Sequence, residues 1–335
     1  MKFFHNCAFF GNFAPDFLRN VTHKVFMINR ILIRIKVVQM MYSYLLTQEE
    51  KSFADAKKEL KKSLEMAYRL YNYIFVLMVE LTDMQDRRLD AAKNKYLPSE
   101  EDLHPNMKFV NNEFIKRLRS SNEYAEYQKE NKLTWHDDDI FLKLLLDKIL
   151  KSETYTDYMS KPGNDFAADC ELWRDLLKKV VFIDDDFIDQ LESKSVYWND
   201  DLETIGTFVL KTIKRFETGN GKAFMPMYKD EEDSLFGEQL FTKAVLGRDR
   251  CDNLINRFIV TENWDADRVA FMDRVVMDVA ITEVLNYPAI PTRVTLNEYI
   301  EIAKYYSTPR SGQFVNGILN SIINYLKDER IIVKE

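Results

Sequence analysis

Apolar residues recur along most of the chain at alternating intervals of three and four, the spacing that lines them up on one side of an α-helix. The clearest run predicts a helix over 53–95, where Leu60, Leu64, Ala67, Tyr71, Ile74, Met78 and Leu81 form a heptad stripe. Such a stripe is read as packing against the rest of the same chain rather than as a cofactor box or a partner zipper, and Pro98 closes it. Shorter periodic runs predict helices over 112–119, 138–150, 165–181, 186–192 and 202–216. Asp137, Asp138 and Asp139, like Asp184, Asp185 and Asp186, stand ahead of two of these runs. Carboxylates there accept hydrogen bonds from the free N–H groups of a helix start, so they read as caps in preference to a divalent-ion site.

Toward the carboxyl end the signals sharpen. Val269, Met272, Val276, Val279, Ala280 and Val284 predict a helix over 265–286, closed by Pro288 and Pro291. Thr295 and Glu298 have the spacing of a capping box, which predicts a helix starting at Thr295 and ending near Tyr306. Thr308-Pro309 then supplies a cap and a first-turn proline for the last helix, whose core face carries Val315, Ile318, Leu319, Ile322, Tyr325 and Leu326. Gly317 inside that helix implies close approach of a neighbouring backbone, with Asn316 joining the contact. Leu172, Leu176, Leu177, Val180 and Val181 match Phe236, Leu240, Phe241, Ala244 and Val245 at an offset of 64 residues, and Trp198 with Asp201 matches Trp264 with Asp267 at 66. The match is either a duplicated helical unit or two amphipathic helices of equal period.

Composition supports a folded, helical chain: 335 residues, 46% hydrophobic, 13% aromatic, with only 9 Gly and 8 Pro. Three cysteines (Cys7, Cys170, Cys251) do not make a disulfide framework, which points to a reducing, cytoplasmic compartment. Four histidines with no C-x-x-C or H-E-x-x-H spacing give no metal site, and Gly219-Asn220-Gly221-Lys222 lacks the strand and spacing of a phosphate loop and reads as a linker. No cofactor and no catalytic step are expected. The segment from Phe3 to Leu18 is apolar but broken by Asn6, Asn12, Pro15 and Asp16, unlike a signal peptide, and no run reaches the roughly 18 apolar residues of a membrane helix. Residues 1–26 read as an upstream extension, with Met27 as an alternative start. The net charge of −7 argues against nucleic acid until its distribution is seen: Met1 to Leu46 carries six basic side chains and one acid, a balance of +5 that leaves −12 for the rest.

The run Val294-Thr295-Leu296-Asn297-Glu298-Tyr299-Ile300-Glu301-Ile302-Ala303-Lys304-Tyr305-Tyr306, followed by Ser311-Gly312-Gln313-Phe314-Val315-Asn316-Gly317-Ile318-Leu319, resembles the carboxyl-terminal signature of the NusB family of transcription antitermination proteins. Residues 273–285 are similar to the family's preceding helix, and 29–46 to its first helix, with Arg34, Gln39 and Tyr42 at matching positions. The resemblance implies an all-α, NusB-like bundle made of 27–46 and 234–330, interrupted by a large additional helical region over 47–233. It further implies binding of boxA-type RNA together with the ribosomal protein NusE, within an RNA polymerase antitermination complex. Alternatives are a NusB-like protein linked to RNA modification, which needs a nucleotide-binding α/β domain, and a helical scaffold without RNA affinity.

Reading single-stranded RNA takes cations for phosphates and flat side chains for bases. Arg30 and Arg34 are four apart on one helix face, Lys36 extends the positive charge, and Tyr42 lies two turns beyond Arg34. The family resemblance adds Phe314 and Arg310 as RNA contacts, Arg310 standing where many members have an acid, and Glu283 as a contact to the protein partner. From the residues alone a basic helix is equally a solvated face, and Tyr42 or Phe314 a core side chain.

Overall fold

The computed structural model describes residues 28–47, 50–163, 165–219, 223–261 and 269–334. The expectations for 1–26, Met27, Asn220–Lys222, Trp264, Asp267 and the stretch 265–268 lie outside the described residues. The protein is 78% helical with no strand among the described residues, so the all-α expectation holds and the α/β domain needed for an RNA-modifying enzyme is absent from them. The helices are α1 (Arg30–Thr47), α2 (Phe53–Lys93), α3 (Glu100–Leu103), α4 (Glu113–Ser120), α5 (Asn122–Asn131), α6 (Asp139–Lys151), α7 (Glu153–Ser160), α8 (Phe166–Leu176), α9 (Asp185–Lys194), α10 (Leu202–Thr218), α11 (Glu231–Thr261), α12 (Phe271–Asn286), α13 (Thr292–Tyr306) and α14 (Ser311–Asp328). None of them is long and apolar enough to cross a membrane.

The chain divides into two compact units, one of residues 66–227 and the other of 28–65 with 228–334. The boundary falls inside α2, which gives its first thirteen residues to the second unit and the remainder to the first. All seven stripe residues of α2 are buried.

In the 66–227 unit, α8 packs against α4, α7 and α10. The Tyr71 hydroxyl meets Thr212 Oγ1 at 2.6 Å, and the Trp135 ring stacks on Tyr73 with centroids 4.2 Å apart. The expected single helix over 165–181 is divided: α8 ends at Leu176 and a π-helical turn runs over Leu177–Val181, where the Phe182 N–H donates five residues back to the Leu177 carbonyl at 2.8 Å. This wide turn seats the Phe182 ring against Gly206 of α10, where an added Cβ would lie 2.9 Å from it. The two stretches that match at an offset of 64 therefore differ in backbone, Leu172–Val181 being part π-helix and Phe236–Val245 α-helix throughout. Asp184 caps α9 as expected, accepting from the Phe187 N–H at 3.0 Å. Asp138 makes no cap bond and instead accepts from Gln190 Nε2 at 2.6 Å.

The other unit is a bundle around α12, whose residues from Val275 to Val284 are buried without exception. Helix α12 packs on α1, α11, α13 and α14, and a helix enclosed on every side loses the one-faced pattern of a surface helix. The start of α2 joins through Phe53, which stacks on Phe241 of α11 and meets Tyr44 of α1 edge-on. Close approach of α1 and α11 is made at Gly237, where an added Cβ would stand 2.9 Å from Ile33 Cγ2.

Candidate nucleic-acid interface

Helix α1 begins where Asn29 Oδ1 accepts from the Leu32 N–H at 2.9 Å. Its two arginines both face inward over the Phe236 ring of α11, at 4.9 Å for Arg30 and 5.7 Å for Arg34. Arg30 donates from Nε to Asp233 at 2.7 Å and from Nη2 to Glu232 at 2.8 Å, both in the first turn of α11, and remains partly exposed. Arg34 is 3% exposed and Glu283 0%. The guanidinium grips that carboxylate with two bonds, Nε to Oε2 at 2.8 Å and Nη2 to Oε1 at 2.9 Å. Glu283 also accepts from Thr295 Oγ1 at 2.8 Å and from the Tyr299 hydroxyl at 3.1 Å, so both of its oxygens are fully used. Burial works against the Arg34 charge, but its bonds to the Glu283 carboxylate and that group's negative charge outweigh it and hold the guanidinium above its ordinary pKa. The Tyr299 phenol, wholly buried beside the same carboxylate, is raised well above its ordinary value.

This geometry corrects the expectations for four residues. Arg34 is not available to a phosphate, nor Glu283 to a partner protein, because each is sequestered against the other. Lys36 (4% exposed) and Phe314 (8% exposed) are buried as well, so neither presents its side chain to a base or a phosphate.

The first turn of α12 makes two further contacts, one with α1 and one with the start of α14. Tyr42 is half-buried with its ring 5.2 Å from Phe271 at the start of α12. Two residues on, Asp273 Oδ2 accepts from Ser311 Oγ at 2.9 Å, tying α12 to the first residue of α14. Burial raises the Asp273 carboxyl above its usual range, and bonds from Ser307 and Ser311 oppose the shift. Arg310 precedes Ser311 and is exposed. Tyr42, Phe271 and Arg310 thus supply flat rings and a solvent-facing cation on the same unit. Phe271 and Asp273 were not singled out by sequence; their signal was only their place in the first turn of the most apolar helix.

Three local expectations are corrected here. The capping box at Thr295 and Glu298 does not form, because α13 starts at Thr292 after Pro291 and the Thr295 hydroxyl has turned into the core to reach Glu283. Helix α14 starts at Ser311 rather than just after Thr308, whose N–H donates to Ser311 Oγ at 3.0 Å. Gly317 faces solvent and an added Cβ would meet nothing within 4 Å, while Asn316 Oδ1 accepts from Asn320 Nδ2 at 2.7 Å on that exposed side. No backbone approaches there.

The NusB family model matches residues 209–324, from the last turns of α10 to the last turns of α14. A transcription antitermination protein NusB of Salinibacter ruber is 36% identical over 129 residues, covering 36% of this chain and 79% of that protein. One of Bacillus pumilus is 31% identical over 123 residues, covering 36% of this chain and 92% of the relative. One of Chloroherpeton thalassium is 44% identical over 73 residues, 22% of this chain and 35% of the relative. No solved structure matches. Matches spanning most of the length of two of these relatives, over the segment that builds the α11–α14 bundle, place the chain: it belongs to the NusB family.

Proposed function

We propose that this protein is a transcription antitermination factor that binds boxA-type single-stranded RNA together with the ribosomal protein NusE and acts within an RNA polymerase antitermination complex, without a catalytic step of its own. The observation that carries this reading is the family match, since curated relatives aligned over 79% and 92% of their lengths are named transcription antitermination proteins. Helix α1, which lies outside the 209–324 match but packs on α11 and α12, takes the place of the family's first helix in this reading, and the part of the 66–227 unit that precedes the match, residues 66–208, is an inserted helical region. Arg310 and the Tyr42–Phe271 pair are the RNA-facing groups, joined by Arg30 once a phosphate displaces the exposed Glu232 from it. Arg34 and Glu283 support the site by fixing α1 to α12 and α13.

One observation favours a helical scaffold without RNA affinity instead: both arginines of α1 already hold carboxylate partners. The two readings part in a titration of boxA RNA and a scrambled RNA of equal length, with and without NusE, at several salt concentrations. Tighter binding of boxA RNA that strengthens further with NusE is expected. Equal, weak binding of both RNAs under all conditions would leave the scaffold.

A further inference from the structure

We propose that the outer face of α6 is a homodimer interface, on which a second copy of this chain lays its own α6 antiparallel across a two-fold axis at Leu144. The helix has two apolar faces. Leu142, Leu145, Leu146 and Ile149 are buried, and α6 packs on α7 and on the π-helical turn. On the opposite side Ile140 and Leu144, one turn apart, are 77% and 55% exposed. Half-exposed Ile183 extends this strip, since it precedes Asp184, which Lys148 of α6 holds together with Asp186. On the other flank Arg88 pairs with Asp147 at 2.5 Å. An apolar centre with an ionic rim is the anatomy of a protein interface.

The charges along α6 say what covers the strip. Ile140, Leu144, Lys148 and Lys151 recur at intervals of four, four and three and so share one face. Asp137 stands one turn ahead of Ile140, so the strip runs from acid through apolar to base. Asp137 and Lys151 are both exposed, and neither has an ion-pair partner among the described residues. An antiparallel copy centred on Leu144 sets that leucine against its own mate, Ile140 against the aliphatic stem of Lys148 of the partner subunit, and Asp137 against Lys151 of the partner subunit. Every contact but the central one is made twice. A parallel copy would put like charges side by side at both ends. The strip is therefore its own complement. Helix α6 belongs wholly to the 66–227 unit, so the inference does not rest on the RNA-binding reading.

One helix pair buries less than a standard interface, so association with a Kd on the order of 10 µM is expected. Sedimentation velocity of the full chain from about 1 to 200 µM measures it. Leu144→Asp should leave a monomer throughout at unchanged helicity, because the site is exposed and two carboxylates would meet on the axis. Lys151→Glu and Asp137→Lys should each weaken the dimer about five- to tenfold, and the double variant should return to within about twofold of the parent. Leu144→Cys, made with Cys7→Ser so that only the buried Cys170 and Cys251 remain, should cross-link on mild oxidation, whereas Ile140→Cys should not. A monomer at every concentration would overturn the proposal and leave the strip to another protein or to residues 1–26. A dimer that Leu144→Asp does not weaken would overturn this face as its interface. Equal cross-linking at 140 and 144, or a double charge variant weaker than either single one, would overturn the antiparallel arrangement.

Discussion

Arg34 of α1 and Glu283 of α12 are joined by two hydrogen bonds of 2.8 and 2.9 Å between residues 249 apart in the chain, both almost completely buried. A buried ion pair contributes little over an apolar pair of the same shape, but removing one partner strands the other charge without water. Glu283→Ala is expected to destabilise the protein by about 3–5 kcal/mol, since it also leaves the Thr295 and Tyr299 hydroxyls without their acceptor. Arg34→Lys should recover only part of the stability that Arg34→Ala loses, because an ammonium cannot reproduce the fork. Urea denaturation measures both, and a loss below about 1 kcal/mol for Glu283→Ala would show that the pair does not hold α1 in place.

Two glycines give opposite expectations for the same substitution. Gly317→Ala places a methyl group where nothing lies within 4 Å, in the middle of α14, and should stabilise the protein by up to about 1 kcal/mol through helix propensity alone. Gly237→Ala, also mid-helix, drives its methyl to 2.9 Å from Ile33 Cγ2 and should destabilise by about 1–3 kcal/mol as α1 and α11 are forced apart. Thermal unfolding of both variants checks the pair, and equal shifts of the same sign would refute the close crossing at Gly237.

That contrast shows what the sequence can and cannot carry. The α2 stripe was legible because its period is a local property, and its seven residues, from Leu60 at one end to Leu81 at the other, are buried as the pattern predicts. The unit boundary was not legible: it falls between Glu65 and Met66, inside an unbroken helix that has no Gly or Pro to mark it. Thr295 was misread because a local cap and a tertiary hydrogen bond compete for one hydroxyl, and the buried Glu283 wins. The charge of α1 was legible but its use was not, since the acids that neutralise it sit in the first turn of α11 and in the last turn of α12, both remote in sequence.

Arg30 and Arg310 are the cations of the proposed RNA face that the structure leaves reachable. Arg310→Ala and Arg30→Ala should each lower RNA affinity and reduce the salt slope by about 0.7, the value for one phosphate contact on a single strand. Their stability cost is expected to stay under about 1 kcal/mol, because the Arg30 ion pairs are partly solvated. Glu232→Gln acts in the other direction: it removes the exposed half of the acid clamp on Arg30 and should tighten RNA binding at low salt. Unchanged salt slopes in both arginine variants would move the RNA contact elsewhere.

Asp278 provides the pH dependence. It lies in the buried α12 with no hydrogen-bond partner for Oδ1 among the described residues, and burial pushes its carboxyl up to about 7; a bond from Cys251 opposes this, Asp252 adds to it, and Arg248 opposes it. In the unfolded chain the same group titrates near 4. Between these values the folded protein holds a proton that the unfolded protein has lost, so stability falls as pH rises through the window and is restored on acidification. The contribution of this one group is on the order of 2–4 kcal/mol from end to end. Asp278→Asn removes the titrating group while keeping its shape. The variant's stability, measured by urea denaturation from pH 4 to 8, should therefore fall less steeply than the parent's, with the two curves closest at low pH and furthest apart above 7. Parallel curves would mean that Asp278 is ionised in the folded protein at neutral pH and that a polar group reaches its free oxygen.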